Sequence, residues 1–127
     1  MIIGLGMDIV SIERIEALLG EHGDRSKERL FSDEERAYCE VLPHAALHFA
    51  ARFAAKEAFV KALGTGFDQG IQWRDIAVVN APGGKPSLTI TGKALEIMQT
   101  QGVTRTHVSL THDPIHAAAV VILEAAD

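Results

Sequence analysis

The 127-residue chain predicts one α+β domain spanning residues 1–127, and three observations lead there. Apolar residues recur at helical spacing through most of the first half and at strand spacing through most of the second. Helices gather early and strands follow, instead of alternating as they would around a parallel sheet. No linker, low-complexity tract or clear internal repeat interrupts the chain, and its length suits a single core.

Residues 2–10 read as a strand in which Gly4 and Gly6 mark a bulge or a close backbone approach. Ser11 is placed to cap a short helix with apolar positions Ile12, Ile15, Leu18 and Leu19, ended by Gly20 and Gly23. Ser32 and Glu35 have capping-box spacing, so a helix starts near Asp33. Pro43 suits the first turn of a long helix that runs to about Leu63, with Gly64 placed to terminate it. A strand follows around Ile76–Val79, then a turn over residues 81–86, then a second strand over Ser87–Thr91. Gly92–Gln101 reads as a helix closed by Gly102. His107–Thr111 and Ala117–Leu123 read as a terminal strand pair joined across Asp113-Pro114.

Composition narrows the function. Apolar residues make up 47% and charged residues 23%, ordinary for a globular protein. A net charge of −5 argues against non-specific nucleic-acid binding as the main task. No apolar run approaches the roughly 20 residues of a membrane helix. The N-terminal residues lack the basic start of a signal peptide and reach an acid at Asp8. The single cysteine, Cys39, has no internal disulfide partner, and a reducing cytoplasm is its expected home.

Residues 52–66, Arg-Phe-Ala-Ala-Lys-Glu-Ala-Phe-Val-Lys-Ala-Leu-Gly-Thr-Gly, carry the strongest signal. Phe49, Phe53, Val60 and Leu63 fall on one helical face. Lys56 lies inside that stripe and Glu57 at its edge, where a charge needs a partner or a ligand. A phosphate with a metal would suit them, and Lys56, deepest in the stripe, could instead be a buried structural cation. His44, His48, Arg52 and Lys56 make an i, i+4 row able to grip phosphate or to form a solvated edge. Zinc is excluded at His44 and His48: Ala45 stands where a zinc protease needs glutamate, and no cysteine cluster lies nearby. Asp8 and Glu57, if folding joins them, suit Mg²⁺. Glu57 and Lys61 are spaced as a helix ion pair, or as a metal ligand beside a phosphate-binding cation. Gly64-Thr65-Gly66 is a helix end without the order of a Walker loop, Gly84-Lys85-Pro86 is a hairpin turn, and His112 ends an apolar strand.

These pieces occur together in one family. The chain resembles the bacterial holo-acyl-carrier-protein synthases, the short single-domain group of 4′-phosphopantetheinyl transferases. The resemblance covers essentially the whole chain. It rests on Gly4-Leu-Gly-Met-Asp8-Ile-Val, Arg14-Ile15, Phe31-Ser-Asp-Glu-Glu35, the Arg52–Gly66 segment, Gly84-Lys-Pro86 and Val108-Ser-Leu-Thr-His112. It implies the 4′-phosphopantetheinyl transferase fold, a small antiparallel or mixed sheet packed against a long helix. It also implies Mg²⁺-dependent transfer of the phosphopantetheine arm of coenzyme A to a serine of apo-acyl carrier protein, releasing adenosine 3′,5′-bisphosphate.

Carried over by position, Asp8 and Glu57 would hold Mg²⁺ and Lys61 would contact the phosphate under attack. Glu57, directly or through water, would help remove the serine proton, and His112 would add a hydrogen bond. Arg52, Gly84, Lys85 and Pro86 would bind the adenosine 3′-phosphate end, with Ser109 and His112 lining the same cleft. Lys56, Gly64 and Thr65 complete the expected coenzyme A contacts. Arg14, Arg25 and Arg29, with Lys27, would form a basic dock for an acidic carrier of fatty-acid or polyketide synthesis, sensitive to salt. The family implies homotrimers with sites shared between subunits. Three positions depart from its pattern: Thr111 replaces a serine, His44 an arginine, and Ser26 an apolar residue.

Overall fold

The computed structural model describes residues 1–127, in the order β1 (Ile2–Ser11), α1 (Ile12–Glu21), α2 (Asp24–Leu30), α3 (Asp33–Glu40), α4 (Ala45–Leu63), β2 (Ile76–Asn80), β3 (Pro86–Ile90), α5 (Gly92–Thr100), β4 (Arg105–His112) and β5 (His116–Glu124). A 3₁₀ turn over Trp73–Asp75 leads into β2. Strands β1, β5 and β4 form an antiparallel sheet in that spatial order, while β2 and β3 form a separate hairpin.

Helix α4 is the axis. Ala50, Ala51, Ala54, Ala55, Ala58 and Ala62 are all buried, so neighbouring elements approach it closely from several sides. One core cluster joins its C-terminal half to β2, β5 and α5; the other joins its N-terminal half to α1, Phe31 and Cys39. The one-sided stripe expected of a surface helix is therefore replaced by burial around most of the circumference, which suits a central helix. Gly4 and Gly6 make the nearest approach. A Cβ on Gly6 would lie 1.9 Å from the Ala58 carbonyl oxygen, and one on Gly4 2.2 Å from that of Ala62. Only hydrogen fits there. The ladder with β5 also shifts register between Ile2 and Gly4.

Local signals place most element ends. Ser11 Oγ accepts from Arg14 N, and Ser32 with Glu35 completes a reciprocal capping box. Gly64 takes the left-handed conformation, φ +81°, and its N–H bonds the last carbonyls of α4. One expectation is corrected. Pro43 lies in the turn before α4, not in its first turn; His44, at φ +58°, bends the chain into the helix. Residues 24–30 form helix α2, which the sequence pattern does not signal. Its short inner face, Ser26 and Leu30, gives too little period to read from sequence, yet it packs beneath α1 with Ser26 Oγ 3.4 Å from Leu18 O.

The sheet is two-faced. Its inner face presents Ala117, Ala119, Val121 and Leu123 to α4, all buried. The outer face carries cross-strand rows Leu5–Ile122–His107, Met7–Val120–Ser109 and Ile9–Ala118–Thr111. Leu5, Met7 and Ile9 are each more than 60% exposed, an open apolar face.

Candidate active site

The close seat of β1 on α4 decides where Asp8 goes. Two residues beyond Gly6, its carboxylate accepts from Lys61 Nζ at 2.8 Å, and the same ammonium donates to Met7 O at 3.1 Å. Glu57, one turn before Lys61, is half-buried. Burial pushes its carboxyl above the usual carboxylate range, the negative charge of Asp8 adds to the rise, and Lys61 opposes it. Asp8 and Glu57 therefore meet across 49 positions of sequence. They line a groove of about 580 Å³ between α1, β1 and α4, together with Ser11, Arg14, Leu18 and Phe53. Two hard oxygen donors that repel one another suit Mg²⁺, which takes one or two protein carboxylates and leaves positions for phosphate oxygens and water. Lys61 is about half exposed and long enough to turn from Asp8 toward a bound phosphate.

Lys56, one residue from Glu57, points elsewhere. It is fully buried, with Nζ 2.8 Å from Glu35 Oε1 and 3.1 Å from Trp73 O, and it also donates to Ile76 O. Three acceptors require three N–H donors, so the amine is protonated. Burial pulls its pKa down and the Glu35 carboxylate holds it up. No donor remains for a ligand. The expected coenzyme A contact by Lys56 is corrected to a structural cation.

Arg52 lies one turn earlier on the same strip. Its guanidinium sits over the Tyr38 ring, 4.6 Å from the centroid, and donates to Asn80 Oδ1. It is 2% exposed, and its Nε is buried without a hydrogen-bond partner. Asn80 Nδ2 in turn donates to Gly84 O at 2.9 Å. Gly84, Lys85 and Pro86 thus sit at the tip of the β2–β3 hairpin, with Lys85 exposed and Gly84 at φ +93°. Asn80 was missed by sequence reasoning. Its one available signal was an amide, able to accept from an arginine and donate to a carbonyl, just before a glycine-proline turn.

The remaining site residues scatter. Ser109 belongs to the open sheet face beside Val120, whereas His112 differs in strand parity and faces the other side. Within one chain they do not line a common cleft. His112 borders a cavity of about 730 Å³ with His44 and Asp113 at the N-terminal end of α4. His48 nearby has its pKa lowered by burial, then by Arg52, His112 and His44, which marks a concentration of positive charge. Thr65 Oγ1 donates to Gly66 O at 2.7 Å in the turn after α4.

Of the basic residues, Arg14, Arg25 and Arg29 are exposed, with Arg25 and Arg29 one turn apart on α2. Lys27 instead pairs with Glu40 at 3.7 Å and lies over the Phe49 ring. One chain therefore assembles two separate groups on different strips of α4: Asp8–Glu57–Lys61 against β1, and Arg52–Asn80–Gly84 against the hairpin.

The family model of the 4′-phosphopantetheinyl transferase superfamily matches residues 4–120. A holo-[acyl-carrier-protein] synthase of Trichlorobacter lovleyi is 51% identical over 125 residues, covering 98% of this chain and 99% of that protein. Its counterpart in Geobacter metallireducens is 48% identical over 98% of both chains. Among solved structures, the holo-[acyl-carrier-protein] synthase of Neisseria meningitidis superposes with a TM-score of 0.88 at 35% identity, over 98% of this chain and 99% of its own. The Helicobacter pylori enzyme, solved in complex with coenzyme A, gives 0.83 at 32% identity over 94% and 99%. With that fold and that identity along nearly its whole length, the chain belongs to the holo-[acyl-carrier-protein] synthases of the 4′-phosphopantetheinyl transferase superfamily.

Proposed function

We propose that this enzyme moves the 4′-phosphopantetheine arm of coenzyme A onto a serine of apo-acyl carrier protein, with Mg²⁺ and with release of adenosine 3′,5′-bisphosphate. Asp8 and Glu57 line one groove with Arg14, and Lys61 is bonded to Asp8; this convergence carries the reading. The serine oxygen bonds to the phosphorus of the arm, and the bond from that phosphorus to the bisphosphate oxygen breaks. Glu57, whose carboxyl is raised above the ordinary carboxylate range by burial and by Asp8 and so holds a proton more firmly, takes the serine proton. Lys61 leaves Asp8 to stabilise charge on the phosphoryl oxygens. Mg²⁺ held by Asp8 and Glu57 would supply further neutralisation of the diphosphate.

The two groups on α4 favour sites completed between copies. Arg52 and the hairpin tip would receive the 3′-phosphate end of coenzyme A from one chain, while the carboxylates of a second hold its diphosphate. The exposed Leu5, Met7 and Ile9 face supplies the apolar surface such a homotrimer needs. Arg14, Arg25 and Arg29 would meet the acidic carrier, a fatty-acid synthesis carrier first. A cytoplasmic setting fits the lone buried thiol of Cys39.

The test is mass spectrometry of apo-acyl carrier protein incubated with the enzyme, coenzyme A and Mg²⁺. The carrier should gain one phosphopantetheine mass; no gain on a carrier that a known transferase modifies would reject the proposal. Light scattering reads the assembly, with a trimer mass expected.

A further inference from the structure

Strand β2 is held from one side at every second residue. Lys56 donates to Ile76 O at its start. Val78 N donates to Glu35 Oε2 at 3.0 Å in its middle. Arg52 bonds Asn80 at its end. Lys56 and Arg52 stand one turn apart on α4, and Glu35 is itself bound to Lys56. The whole arrangement is a polar clamp from α3 and α4 onto one strand, and only its last member reaches beyond the strand.

That member is Asn80. Arginine has no acceptor, so the amide oxygen faces Arg52 and the amide nitrogen faces Gly84 O, 2.9 Å away. The loop has two further backbone bonds, Gly84 N to Ala81 O at 2.7 Å and Ala81 N to Lys85 O at 2.9 Å. Both lie within the loop itself. Only the Asn80 amide ties the loop to a buried group of α4, and it does so at Gly84, a glycine in the left-handed region.

We infer that Asn80 is a positioning residue for coenzyme A: it fixes Gly84 and Lys85 at the hairpin tip through the buried Arg52, while its own amide is spent inside the chain. This rests on the proposal that the tip receives the nucleotide end of coenzyme A. Without the amide donor the tip samples other conformations, and binding must select the competent one, which weakens apparent affinity by the fraction lost.

Asn80→Asp separates the two halves of the link. The carboxylate keeps a partner for Arg52 but has no hydrogen to donate to Gly84 O. Isothermal titration of the full-length enzyme with coenzyme A and Mg²⁺ should show Kd raised about five- to tenfold, as loss of one neutral hydrogen bond implies. KM for coenzyme A should rise in parallel, with kcat and KM for the carrier within about twofold of the parent. Asn80→Gln, which retains both amide functions on a longer arm, should recover part of the affinity. A purely structural role predicts a lower unfolding midpoint with Kd unchanged in the folded protein, and that result would overturn the inference. An unaltered enzyme that binds coenzyme A without transferring it would reject the transferase reading while the Kd comparison still decides Asn80. An unaltered enzyme that does not bind coenzyme A would overturn both.

Discussion

Replacing Lys56 by methionine tests how the charged helix is accommodated. The substitution keeps the length of the side chain and removes the ammonium. It leaves Glu35, 1% exposed, with the N–H groups of Ser32 and Val78 but no counter-charge. It also deprives the carbonyls of Trp73 and Ile76 of a donor. Breaking one side of a buried ion pair costs about 3–5 kcal/mol. For a chain of 127 residues the unfolding entropy is roughly 0.27 kcal/mol/K, so the melting temperature should fall by about 11–19 °C. The assay is urea unfolding at fixed protein concentration, followed by fluorescence of Trp73, the only tryptophan. That ring stacks between Phe53 and Phe67, at 4.8 and 3.8 Å between centroids, so its emission reports the native packing. A stability loss below about 1 kcal/mol, accompanied by a large loss of coenzyme A affinity, would refute the structural assignment of Lys56 and restore it as a ligand contact.

Two further substitutions probe the carboxylate site. Gly6→Ala places a methyl group 1.9 Å from the Ala58 carbonyl oxygen, so β1 must lift from α4. Stability should fall by about 1–3 kcal/mol, and transferase activity should fall further than the folded fraction does, because Asp8 moves away from Glu57; activity that simply tracks the folded fraction would show that the pair tolerates the shift. Glu57→Gln removes a carboxylate whose folded pKa is raised, so the charge it normally carries costs stability as pH rises from 4.5 through the raised value. The variant should therefore melt higher than the parent near pH 7.5, with the difference vanishing toward pH 4, and should lose the stabilisation that Mg²⁺ gives the parent. A lower melting temperature at neutral pH, or an undiminished Mg²⁺ shift, would remove Glu57 from the metal role.

Features that depend on neighbours a few positions away can be read from the chain alone. Ser32 and Glu35 form their capping box because both partners lie within one turn, and Gly64 ends α4 because glycine alone enters the left-handed region freely. The Gly4 and Gly6 interruption signalled close approach, and the ordered motifs pointed to the family. Helix α2 escaped because seven residues hold too little period, and Pro43 misled because a proline in a preceding turn has the same local preference as one in a first turn. The rest depends on contacts between residues far apart in the chain. Lys56 and Glu57 are adjacent in sequence, yet about 100° of helical rotation sends one into an internal ion pair and the other to a groove. Asp8 meets Glu57 only because two missing Cβ atoms let β1 rest on α4. Ser109 and His112 are separated by strand parity, and Asn80 gained its link because α4 supplies a buried guanidinium to the end of β2. Periodicity reports which residues share a face, whereas only the packed chain fixes what that face meets.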